Sequence, residues 1–144
     1  MIAPEVNHTG MDPRLVQQCV QYIVKTLPEI LAVYVFGSAS SGQMHVNSDL
    51  DLAVYAKGGL DRVDLWDASQ KLAAIVGRDV DLVDLHTATS VMRMQVISRG
   101  ERLFCMNEML CEQFEDMVFS DYARLNEERS SILADIRQRG SVYG

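Results

Sequence analysis

The chain has 144 residues, 48% of them apolar and 23% charged, which fits one folded domain and excludes bulk disorder or a fibrous array. Its formal charge is −7 and its pI is about 4.8. A surface of that sign repels phosphate backbones, so a direct nucleic-acid partner is not expected. The longest apolar run, Ile30 to Phe36, is far too short to span a bilayer, and no membrane association is expected. The first ten residues show no basic stretch followed by an apolar one, as a secretory signal would. Cys19, Cys105 and Cys111 form no CxxC pair and have no histidine at zinc-ligand spacing. Three reduced, mostly buried thiols in a cytoplasmic protein are the expectation.

Residues 1–11 read as a flexible tail, and 12–144 as one domain. Asp12-Pro13 has the form of a helix start, a carboxylate cap before proline at the first helical position. Leu15, Val16, Cys19, Val20, Ile23 and Leu27 then recur at helical spacing until Pro28. Leu31 to Phe36 is β-branched and aromatic, a buried strand. A turn of small residues follows, Gly37-Ser38-Ala39-Ser40-Ser41-Gly42. From Asp49 to Ala56 the pattern alternates, with Asp49, Asp51, Ala53 and Tyr55 on one face of a strand. A helix over Asp61 to Val76, with Val63, Trp66, Leu72, Ala73 and Val76 at helical spacing, stops at Gly77. Asp79 to Leu85 is a further strand, Thr89 to Ser98 a helix, and Arg102 to Cys105 a short fourth strand.

From about residue 107 the chain reads helical to Arg139. A straight helix of that length would run ~48 Å, wider than a small domain, so a break is expected near Ser120-Asp121. Tyr122, Leu125, Ile132, Leu133 and Ile136 line one side of the last helix. Packing on its own domain is the expected role, with docking of a partner as the alternative. Helices and strands recur together, so the fold class is mixed α/β or α+β.

The chemistry lies in Gly37-Ser38, ten residues, then Asp49-Leu50-Asp51. Two carboxylates two residues apart on a strand share a face, and their repulsion is relieved by a cation between them. Hard oxygen ligands on a rigid strand suit Mg²⁺, which keeps waters and substrate phosphates in the rest of its shell. Glycine permits close backbone approach, and the Ser38 hydroxyl and following amides can donate to phosphate oxygens. Asp81 lies on another strand. If the two strands are neighbours, three acids converge on one open face, a two-metal arrangement for phosphoryl transfer. Asn47, Asp49 and Asp51 also have the spacing of a calcium loop, but Leu52 stands where that loop needs glycine. Asp79 shares the Asp81 face and reads as a solvated strand end. Asp84 reads as a turn residue, and His45 as a surface residue.

The stretch GSASSGQMHVNSDLDLAVY resembles the signature of the nucleotidyltransferase superfamily, whose fold is that of the DNA polymerase β palm. With the short chain and the later VDLVDL segment, it looks like the minimal nucleotidyltransferases (MNT), antitoxins paired with HEPN-domain ribonuclease toxins. The resemblance covers roughly Leu15 to Cys105. It implies a small mixed sheet with helices on one face and an open catalytic face. It assigns Gly37 and Ser38 to the triphosphate. It assigns Asp49, Asp51 and Asp81 to Mg²⁺, with Asp81 also placed to take the proton of the attacking hydroxyl. The implied reaction is AMP transfer from ATP to a hydroxyl, that of a tyrosine, of the HEPN toxin; the rival is a catalytically weak antitoxin that neutralises by masking. Many relatives carry a basic residue just after Gly-Ser, where this chain has Ala39-Ser40-Ser41. Arg78, Arg93 and Lys57 are candidate replacements.

Overall fold

The computed structural model describes residues 12–37 and 49–143, with side chains through residue 139. The expected tail at 1–11 lies outside the described residues. Helix α1 spans Pro13–Thr26, and the Asp12 carboxylate accepts from Arg14 N at 2.9 Å, as the Asp-Pro start predicts. Strands β1 (Ala32–Phe36) and β2 (Leu50–Tyr55) follow. Helix α2 (Arg62–Val76) is capped by Asp61, which accepts from Val63 N and Asp64 N. It ends at Gly77 in the left-handed region, φ 74°. Then come β3 (Val80–Asp84), α3 (Ser90–Arg99, capped by Thr89), β4 (Glu101–Cys105) and α4 (Glu108–Tyr143).

The four strands form one sheet in the order β3-β2-β1-β4. β1 runs antiparallel to both β2 and β4, while β2 and β3 are parallel and joined through α2. Alternation sends Val33, Val35, Leu52, Val54 and Leu82 into a core with α1 and α2. The intervening residues Ala32, Tyr34, Ala53 and Tyr55 pack with α3 and α4 on the other face. The open catalytic face expected from the sequence is thus confined to one end of this second face. There β1 finishes, β2 and β3 begin, and Asp49 and Asp81 are exposed.

Two expectations need correction. The C-terminal segment does not break at Ser120-Asp121; α4 is continuous for 36 residues, ~54 Å. No proline interrupts it, and Asp121 pairs with Arg124 along the helix instead of capping a new one. The width of the domain sets no limit, because the helix runs past it: every described residue from 126 to 139 is exposed. On α2, Ala68, Leu72 and Val76 face the core, whereas Val63 and Trp66 are 65% and 63% exposed. Both lie off the seam, which runs through Leu65, Ala68, Leu72 and Val76 at spacings of three and four.

Candidate active site

The acids meet because of strand order. In the parallel β2–β3 pair Asp51 stands opposite Asp81, and Leu50 N donates to Asp79 O at 2.9 Å to start the ladder. Partners in such a ladder sit about 4.8 Å apart. In the antiparallel β1–β2 pair Phe36 stands opposite Asp51, so Gly37 ends β1 beside the same carboxylate. Gly37 has φ +71°, and a Cβ there would overlap Asp51 Oδ2. Glycine is needed twice over, for the left-handed backbone and for the space the carboxylate occupies.

Asp49 and Asp81 are exposed and Asp51 is half-buried. The Asp51 carboxyl is held above the usual carboxylate range, first by burial, then by the charges of Asp81 and Asp49. Repulsion and desolvation act together on one oxygen pair, and a bound cation would relieve both. Among the described residues no three His, Cys, Asp or Glu side chains close into a metal cage by themselves.

Ser38, His45 and the Ala39-Ser40-Ser41 turn lie outside the described residues. Of the candidate basic groups, Arg93 is committed elsewhere. Its Nε donates to Leu85 O at 2.7 Å and its Nη2 to His86 O at 2.8 Å, and the guanidinium lies over the Phe114 ring. Lys57 also follows the far end of the sheet, just after β2. Arg78 lies two residues before β3, at the acid end. Asp84 serves as the expected turn residue, accepting from His86 N at 2.9 Å.

A polar cluster on the same face has no signature in the sequence. The buried Tyr34 hydroxyl donates to Glu115 Oε2 at 2.8 Å, and Arg102 Nη1 donates to that oxygen at 3.1 Å. Arg102 Nη2 reaches Glu108 Oε1 at 2.7 Å. Tyr34 and Glu115 are 81 positions apart, and their residue types carry no pairing signal. The cluster seats α4 on the sheet. Nearby, Cys105 Sγ lies 2.6 Å from Cys111 Sγ, both free thiols.

The sequence profile of the family described as "Polymerase beta, Nucleotidyltransferase" matches residues 17–109, which includes both strands that carry the acids. The chain belongs to this nucleotidyltransferase family. The protein adenylyltransferase MntA of Shewanella oneidensis is 40% identical over 110 residues, 76% of this chain and 78% of the relative. Among solved structures, a toxin–antitoxin complex with AMP-PNP is similar, with TM-score 0.75 and 37% identity over 83% of this chain and 96% of the other. So is a complex of a tri-AMPylated Shewanella oneidensis HEPN toxin with its MNT antitoxin. There the TM-score is 0.71 and identity 32% over 85% of this chain and 96% of the other. As in those nucleotidyltransferase relatives, the fold is a mixed α/β domain. Among the described residues no helix is long and apolar enough to cross a membrane.

Proposed function

We propose that this nucleotidyltransferase moves AMP from ATP to a hydroxyl, taken to be a tyrosine, of a HEPN-family toxin and so neutralises it. The observation that carries the reading is the convergence of Asp51, Asp81 and Gly37 at one sheet end, with Asp49 one residue before β2. The likeness to a protein adenylyltransferase, and to antitoxin structures solved with AMP-PNP and with an AMPylated toxin, supports it.

Asp49 and Asp51, with Asp81, are the residues that would hold Mg²⁺. When bound, the ion would neutralise charge developing on the phosphates. Gly37 makes room for the Asp51 carboxylate at the strand end, and the nucleotide's phosphates are assigned to the Gly37 backbone and the Ser38 hydroxyl. The toxin hydroxyl attacks the α-phosphorus in line, the bond from that phosphorus to the bridging oxygen breaks, and pyrophosphate leaves. Asp81, exposed beside Asp51, takes the proton of the attacking hydroxyl.

The test uses ATP labelled at either the α- or the γ-phosphate, incubated with the chain and its toxin. The reading expects label from the α position alone, and none after Mg²⁺ is chelated. Incorporation from the γ position would make the protein a kinase and overturn it.

A further inference from the structure

Helix α4 begins where the family profile ends: the profile stops at residue 109 and the helix starts at Glu108. Its first turns are seated on the sheet through Cys111 and Val118, both buried. The same line continues at alternating spacings of four and three through Tyr122, Leu125, Arg129, Ile132 and Ile136. Tyr122 and Leu125 are half-buried, and there the domain ends. Ile132 and Ile136 are 59% and 56% exposed, and Leu133 on the edge of the line is 54% exposed. The helix therefore carries its packing face ~21 Å beyond its own domain, over residues 126–139. Among the described residues nothing covers it.

Charge argues against a second copy as the cover. One edge of the line is acidic, with Asp121, Glu128 and Asp135 seven residues apart. An antiparallel copy lays that edge on itself. A parallel copy instead brings Arg129, which interrupts the apolar line, against its own twin. Asp121 and Asp135 already pair with Arg124 and Arg139 along the helix, but exposed pairs of this kind are weak and exchange readily. A different chain with lysine or arginine along one side of an apolar helical face would complement that edge and the −7 charge of this protein.

We propose that the projecting half of α4 is the docking arm for the protein acceptor, which presents an apolar, basic-edged helical face to Leu125, Ile132, Leu133 and Ile136. This rests on the reading that the acceptor is a protein, the HEPN-family toxin.

The experiment compares the full chain with the Ile132→Asp/Ile136→Asp variant. Both positions are exposed, so the domain should melt unchanged. Affinity for the purified toxin is measured by calorimetry, and steady-state transfer yields separate KM values for toxin and ATP. The arm predicts toxin Kd and KM raised ~10-fold or more, with the KM for ATP unmoved. Glu128→Lys should weaken binding in the same direction. Unchanged toxin affinity overturns the proposal. So does a wild-type chain that sediments alone as a dimer which Ile132→Asp dissociates. A wild-type chain that binds toxin without modifying it would sink the transferase reading, while the affinity comparison still decides the arm.

Discussion

Gly37 and Asp51 depend on each other. The left-handed backbone of Gly37 costs a residue with a Cβ ~1–2 kcal/mol, and that Cβ would also push the Asp51 carboxylate out of place. Gly37→Ala should therefore lower stability by about that amount and reduce transfer far more than the stability loss explains. Denaturant melts beside initial rates check this, and a variant with normal rates would show that the carboxylate does not need its position. Asp51→Asn should act in the opposite sense on stability. The native carboxylate is held against burial and the charges of Asp81 and Asp49, so removing its charge should raise the melting temperature of the Mg²⁺-free protein while abolishing transfer. Solvent screening at a half-exposed site keeps the gain below ~1 kcal/mol. A lowered melting temperature would mean that the carboxylate is structural. At this scale much was legible in the sequence, because Gly-Ser and the paired aspartates are a spacing within one short stretch. Asp81 was legible as a candidate and not as a neighbour, since strand order is not a local property.

The helices with clear ends in the sequence have the expected ends in the structure, and for a local reason. Asp12, Asp61 and Thr89 accept from amides two or three residues on, and Gly77 closes α2 in the left-handed region. Helix α4 has no break because the size of the domain does not limit its length, and its seating depends on contacts far away in sequence. Glu115 is held by Tyr34 and Arg102, and the side chain of Tyr34 is almost fully buried. Glu115→Ala would leave the Tyr34 hydroxyl without its acceptor and should cost ~1–3 kcal/mol. Tyr34→Phe keeps the Arg102–Glu115 pair and should cost less, ~1 kcal/mol. Urea midpoints of the two variants check the order. Equal losses would show that the Tyr34–Glu115 bond carries the whole contribution of Glu115 and the Arg102 pair none.

At the scale of the whole molecule, the fold places chemistry and projection in separate parts of the chain. The acids gather where β1 ends and β2 and β3 begin, while α4 starts at the opposite end, after β4, with Met106 N donating to Leu31 O at 2.8 Å. The nucleotidyltransferase profile covers the first part and leaves almost all of α4 outside. The sequence showed each half as a pattern, an acid constellation and an apolar row, but not their relation, which the β1–β4 pairing and the Tyr34–Glu115 contact create. Transfer of AMP to a protein is the activity proposed for the acid end. Intact-mass spectrometry of the toxin tests it most directly, after incubation with Mg²⁺, ATP and either this chain or its Asp49→Asn/Asp51→Asn variant. One or more added AMP units are expected with the native chain and none with the variant, which should still fold. An unmodified toxin that the native chain and the variant silence equally well would contradict it, and neutralisation would then be by masking.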